Sequence, residues 1–492
     1  MDIMDLMGFE IIDKIKSNEL TIEQVIQETY KRIDETEGYI HSFVHLSKEK
    51  ALKKAKELDV QRKKGLSLDK LYGAPIAIKD CICVKDRPTT CCSKILEGYI
   101  PPYHSTVAKH LLEENNGISI GSTNMDEFAM GSSTENSCYG PTYNPWNLDY
   151  VPGGSSGGSG SAVASGQAIF ALGSDTGGSI RSPASYCGVV GLKPTYGRNS
   201  RYGLVAFANS LEQIGPITRC VKDSALLMEI MAGEDPYDST TVDVPVDSYT
   251  EYLDKPINDK IVGIPKEFFS EGIDKTVKKN VNKAIEILED LNVKTIDVSL
   301  PHLEYTVPTY YLIAMSEASS NLERFDGLRY GKMTNDLNGD VFDVFKKTRG
   351  EKFGPEVKRR IMLGTYALSA GYYDMFYIKA LKVRTIIKND FQEIFKKADA
   401  IVCPTMPTPA FKIGELVDDP FQMYMMDALT CPVNIAGLPA LTLPCGFDGD
   451  LPIGVQIIGD YFDEKMILNL AYQLEQQLKL YKKLPVLNRG GK

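Results

Sequence analysis

Between Pro152 and Ser179 the chain runs Gly153-Gly-Ser-Ser-Gly-Gly158, then small residues at Ala162, Val163, Ala164 and Ser165. After them come the apolar run Ala168-Ile-Phe-Ala-Leu172 and Gly173-Ser-Asp-Thr-Gly-Gly-Ser179. Glycine and serine permit unusual backbone angles and close approach, so the first block reads as a loop. The small residues suggest one short, tightly packed helix, the apolar run a buried strand, and Ser179 falls where the next helix should begin. Alternation of strand, turn and helix constrains the chain to the α/β class. A further apolar run, Ala74-Pro-Ile-Ala-Ile78 after Gly73, reads as a strand that delivers Lys79 at its end, and Ile118-Ser-Ile120 as another ending at Gly121.

The rest of the chain fits the same class. Residues 11–64 are rich in Lys, Glu and helix formers, with a helix start signalled at Leu20-Thr-Ile-Glu23. Residues 235–259 are polar and carry Pro236, Pro245 and Pro256, the composition of a connection between two lobes. Beyond it, Val277, Val281, Ala284, Ile285 and Leu288 mark one helical face flanked by strands at 261–264 and 293–298. Residues 358–395 are dominated by helix formers. Strands are expected at 400–403, 440–444 and 453–458, and a closing helix at 465–478. No internal repeat is present.

At 492 residues the chain can bury a large core. The net charge of −10 argues against a broad basic surface that grips nucleic acid unaided, so any RNA needs a partner's charge. The acidic start Met1 to Glu10 lacks a signal peptide's basic and apolar regions, and no apolar stretch has the ~18 residues of a membrane span. Ten cysteines without a secretion signal read as reduced thiols, and the cytoplasm as the compartment. Cys81, Cys83, Cys91 and Cys92 lack paired C-x₂-C spacing, so no metal site is expected.

Three fragments carry the chemistry. Gly177-Gly178-Ser179 puts two residues without Cβ before an expected helix start, where successive N–H groups can converge on one oxygen. The loop at 153–160 fits neither nucleotide signature: no lysine follows its glycines as a P-loop demands, and Val163 stands where a dinucleotide fingerprint needs its third glycine. None of the five histidines lies in a catalytic motif. A serine nucleophile still needs a base, and Lys79 can serve if burial lowers its pKa enough to leave a neutral amine.

Taken together, Lys79, Gly153-Gly-Ser-Ser-Gly-Gly158 and Gly173-Ser-Asp-Thr-Gly-Gly-Ser-Ile-Arg181-Ser-Pro-Ala resemble the amidase signature family over most of the chain. The resemblance implies a large mixed central β-sheet with helices on both faces, residues 1–65 being a helical segment packed on a single catalytic domain, 66–492. It implies Ser179 as acyl-forming nucleophile, Ser155 as a proton relay following a cis peptide, and Lys79 as base. The oxyanion hole would come from the N–H groups of Thr176, Gly177, Gly178 and Ser179.

Four segments, beginning at Asn124, Ala318, Glu356 and Asn434, are similar to the glutaminase subunits of tRNA-dependent amidotransferases within that family. For such a protein the resemblance implies hydrolysis of glutamine to glutamate and ammonia. The ammonia would be used by a partner, with ATP and Mg, to convert glutamyl-tRNA(Gln) to glutaminyl-tRNA(Gln). It implies partner subunits B and C, tRNA held mainly by the partner, and no cofactor on this chain. Recognition of free glutamine calls for an arginine and a carboxylate; the resemblance points to Arg359 and Asp427, with Tyr310 nearby. A stand-alone amidase acting on another amide is the alternative.

Overall fold

The computed structural model describes residues 3–67 and 69–487, so Met1 and Asp2 of the acidic start lie outside the described residues. Its frame is one 11-stranded mixed sheet. In chain order the strands are β1 (Phe43–Leu46), β2 (Pro75–Lys79), β3 (Ile118–Thr123), β4 (Phe170–Asp175), β5 (Val190–Lys193) and β6 (Gln213–Thr218). There follow β7 (Ile261–Pro265), β8 (Lys294–Val298), β9 (Ala400–Pro404), β10 (Ala440–Asp448) and β11 (Leu451–Gly459). Across the sheet they stand in the order β1-β3-β2-β4-β6-β5-β10-β11-β9-β7-β8.

Every residue of β2, β4, β9 and β11 is buried, which requires cover on both faces and explains why these segments are mainly apolar, with Lys79, Ser174, Asp175 and Gln456 as the polar exceptions. The outermost strands β1 and β8 are partly exposed instead. The helix Lys275–Asp290 buries Val277, Val281, Ala284 and Leu288 on one side. Each fully buried Val or Leu there contributes about 1.5–3 kcal/mol. Its start is fixed by Asp274, whose carboxylate accepts from Thr276 N and Val277 N.

The helix Ile22–Ile40 begins where Thr21 accepts a hydrogen bond from Gln24 N. Its Tyr30 hydroxyl donates to the Ile120 carbonyl of β3, and the following β1 pairs with β3, so the N-terminal segment is tied into the sheet. The connection at 235–259 joins two halves of that one sheet: β1 to β6 precede it, β7 to β11 follow it, and the halves meet at the β5–β10 pair. Arg198 pins this connection by donating to the carbonyls of Val244 and Pro245. The helical stretch expected over 358–395 is two helices, Pro355–Ala367 and Lys379–Phe395, interrupted around Gly371, whose φ is +87°. Among the described residues no helix is long and apolar enough to cross a membrane.

Candidate active site

Strands β2 and β4 lie side by side and parallel, with Ile78 opposite Leu172, so their C-terminal ends open at the same edge of the sheet. In open α/β sheets that edge is where ligands bind. The end of β2 places Lys79 there, and the end of β4 leads through Asp175 into the turn that carries Ser179. Ser155 arrives from the glycine loop immediately before the helix Gly157–Ala164, and the Gly154–Ser155 peptide is cis. The loop can approach this closely only with glycine: a Cβ on Gly158 would lie 2.5 Å from the Asn124 carbonyl oxygen and 2.6 Å from that of Ser42.

Lys79 is fully buried, and its Nζ lies 2.7 Å from Ser155 Oγ, 2.8 Å from Ser156 Oγ and 2.9 Å from Ser174 Oγ. Burial pushes its pKa below the usual lysine value, more strongly than Cys81, Asp126 and Asp175 pull it up. Ser156 Oγ donates its own proton to the Ser174 carbonyl, 3.2 Å away, so Ser156 is left to accept from Lys79. The Ser174 carbonyl also lies 3.3 Å from Nζ and can only accept, and Ser174 Oγ has Cys81 Sγ as its other neighbour at 3.6 Å. The hydroxyls of Ser156 and Ser174, which sequence reasoning missed, hold the amine beside Ser155.

Ser179 differs from this buried set. It retains 7% exposure, against none for Ser155, and its hydroxyl has no hydrogen-bond partner among the described residues. Its carbonyl accepts from Ser156 N at 3.2 Å, tying the two serine loops together. The backbone around it is a turn rather than a helix start, since the helix Arg181–Cys187 begins two residues later. The Asp175 carboxylate organises the turn by accepting from Gly178 N at 2.9 Å and Ile180 N at 3.1 Å. The Gly178 amide is therefore engaged, while those of Thr176, Gly177 and Ser179 have no acceptor among the described residues. Three amides free of protein partners suit an oxyanion.

Asp175 is itself held by Arg181, both side chains being wholly buried, through contacts of 3.0 Å from Nε to Oδ2 and from Nη2 to Oδ1. Burial opposes its charge, but Arg181 outweighs that and draws the carboxyl down to about 2. Arg181 in turn donates to the Thr430 carbonyl and Asn434 Oδ1, at the helix Cys431–Ala436, and to Gln456 Oε1 on β11. Thr430 Oγ1 also donates to the Gly177 carbonyl at 2.6 Å.

The expected glutamine contacts lie around this turn. Tyr310, on the helix Thr306–Leu322, packs so close to Gly177 that a Cβ there would come within 2.5 Å of its hydroxyl oxygen. Asp427 is buried three residues before Thr430 and accepts from Ser132 Oγ at 2.9 Å and Tyr311 Oη at 2.8 Å. Burial raises its pKa to about 6 against the pull of those donors and of Arg360. Arg359 and Arg360 separate cleanly. The Arg360 side chain is 4% exposed, bonds Glu356 Oε1 at 2.7 Å and lies over the rings of Phe207, Tyr311 and Tyr424. The Arg359 side chain is 43% exposed and pairs with the other Glu356 oxygen, bordering a small cavity with Gly131 and Ser133. Both arginines border that cavity, and of the two Arg359 has the more exposed side chain. Ser132, Tyr311 and Glu356 were not singled out from the sequence; one signal available there was the position of Tyr311 beside Tyr310.

A buried amine, a serine on a cis peptide and a serine-bearing turn with free amides lie together at one edge of a mixed α/β sheet, an arrangement suited to amide hydrolysis. Comparison with known proteins agrees: the chain belongs to the amidase signature family, whose Amidase model matches residues 24–468. It is 55% identical over 491 residues to the A subunit of the glutamyl-tRNA(Gln) amidotransferase of Thermodesulfovibrio yellowstonii, covering 99% of this chain and 100% of the relative. The corresponding A subunit of Geobacillus kaustophilus is 54% identical over 487 residues, again 99% of this chain and 100% of the relative. Among solved structures, the glutamyl-tRNA(Gln) amidotransferase A subunit of Thermotoga maritima superposes with a TM-score of 0.80 at 41% identity, covering 95% of this chain and 98% of that one.

Proposed function

We propose that this chain is the glutamine-hydrolysing component of a tRNA-dependent amidotransferase. It would release ammonia that a partner, using ATP and Mg, adds to glutamyl-tRNA(Gln) to make glutaminyl-tRNA(Gln). The observation that carries this reading is identity above half, over nearly the whole length, to proteins named as that component. The helices of segment 1–65 flank the catalytic domain, 66–492, to whose sheet the same segment adds β1, and subunits B and C complete the enzyme.

In the mechanism the geometry supports, Ser179 Oγ attacks the side-chain amide carbon of glutamine. Its proton passes to Ser155 as the Ser155 proton passes to the neutral Lys79 amine, along the 2.7 Å contact. Negative charge gathers on the amide oxygen and is met by the N–H groups of Thr176, Gly177 and Ser179. Collapse returns the proton through Ser155 to the leaving nitrogen, freeing ammonia and leaving glutamate esterified to Ser179. Water, deprotonated by the same relay, releases glutamate. Asp427 receives the α-ammonium, Arg359 the α-carboxylate, and Tyr310 walls the reacting centre.

The test is Ser179→Ala in the assembled enzyme. Glutamine-dependent formation of glutaminyl-tRNA should fall at least ~10³-fold, the scale of losing a covalent nucleophile, while formation from added ammonium salt persists. Loss of both would overturn the division of labour, and vigorous hydrolysis of unrelated amides by the isolated chain would favour the stand-alone amidase.

A further inference from the structure

Asp427 does not stand alone in its pocket. Its two oxygens share the Ser132 hydroxyl, at 2.9 and 3.0 Å, and Oδ2 also accepts the Tyr311 hydroxyl at 2.8 Å. The Tyr311 ring has no freedom to turn away. It stacks on Tyr424 with centroids 4.1 Å apart, meets Tyr310 edge-on at 4.9 Å and lies 5.3 Å from the Arg360 guanidinium. Tyr424 Oη donates to Glu356 Oε1 at 2.8 Å, and the other Glu356 oxygen holds Arg359. A single packed chain therefore runs from Asp427 through Tyr311, Tyr424 and Glu356 to Arg359, the two ends being the groups assigned to opposite charges of the substrate.

We propose that Tyr311 is a positioning residue: with Ser132 it aims the Asp427 carboxylate at the substrate's α-ammonium, so that the site selects α-amino acid amides over amides lacking that charge. This rests on the glutaminase reading above. A carboxylate buried to this degree keeps its charge only if donors and cations support it. The groups facing it are Tyr310 and Tyr311 from the helix Thr306–Leu322 and Arg360 from the helix Pro355–Ala367. Ser132, Tyr186, Cys431 and the carboxylate of Asp175 complete its surroundings. Of these, Ser132 and Tyr311 hydrogen-bond it directly, and Tyr311 alone is locked by aromatic packing.

The experiment compares glutamine with glutaramate, which is glutamine without its α-amino group, as substrates of the assembled enzyme. Tyr311→Phe keeps the ring and its stack and removes only the hydroxyl. The preference for glutamine over glutaramate in kcat/KM should fall about tenfold, the scale of one hydrogen bond to a charged group, with the loss in KM rather than kcat. With a donor gone, the Asp427 pKa, already raised to about 6, rises further. The acid limb of kcat/KM for glutamine then moves to higher pH, because the ionised form is lost sooner as pH falls. Ser132→Ala should change the preference in the same direction, and decides the matter if Tyr311→Phe fails to fold. A wild-type enzyme that takes both substrates equally would overturn the glutaminase reading. A wild type that prefers glutamine, joined to variants that keep its preference and pH profile, would overturn the role of Tyr311 alone.

Discussion

Replacing Asp175 with asparagine probes the pair on which the nucleophile turn rests. The carboxylate and Arg181 are both without solvent exposure and share two 3.0 Å contacts. Despite burial, Arg181 lowers the Asp175 pKa from 3.8 to about 2, and at about 1.4 kcal/mol per pKa unit the folded state gains on the order of 2 kcal/mol from the ionised form. Removing one partner of a buried pair costs about 3–5 kcal/mol, because a charge is left uncompensated. Here Gln456, Asn434 and the Thr430 carbonyl still accept from Arg181, which places Asp175→Asn near the low end, about 3 kcal/mol. Urea unfolding at neutral pH measures this, and Asp175→Asn with Arg181→Met should recover part of the loss by removing the orphaned charge. Because the folded pKa is depressed, the contribution is whole above the unfolded value of 3.8 and vanishes as pH falls through about 2. Asp175→Asn should flatten that part of the stability profile. A loss below about 1 kcal/mol, or a double variant weaker than the sum of the singles, would refute the reasoning.

Two further outcomes follow from the site. Lys79→Arg keeps a cation but cannot supply a neutral base, so glutamine hydrolysis should drop by at least ~10²-fold; the wild-type rate should rise with pH as the depressed lysine deprotonates, and an active arginine variant would refute the base. Gly177→Ala would drive a methyl to 2.5 Å from the Tyr310 hydroxyl oxygen, so kcat/KM should fall at least ~10-fold as the turn or the ring shifts. Steady-state kinetics at full activity would refute that contact.

The side chains proposed to react were legible in the sequence because each sits in a local signature. Lys79 follows an apolar run, and Ser155 and Ser179 lie among glycines that only a close backbone approach requires. The strands were legible for a related reason: both faces are covered, so β2, β4 and β9 are nearly uninterrupted apolar segments. The supporting hydroxyls were not. Ser174 gains its role from the register that sets β2 beside β4, Ser156 from the loop that enters the helix Gly157–Ala164, and serine carries no mark of such a partner. Tyr311, Tyr424 and Glu356 form their chain across three separate helices, a contact that no periodicity encodes. The expected helix start at Ser179 is displaced because the Asp175 side chain takes the Gly178 and Ile180 amides and holds a turn in its place.

The seam between the two halves of the sheet has a consequence for how the protein is made. Lys79, Ser155 and Ser179 all belong to the half synthesised first. The groups that steady the nucleophile turn through Arg181 come from Thr430, Asn434 and Gln456, which leave the ribosome 249 to 275 residues after it. A nascent or truncated chain carries every proposed reacting group yet lacks the framework that orients them. The turn that carries Ser179 thus reaches its full set of supports only after the later half of the chain has packed against Arg181.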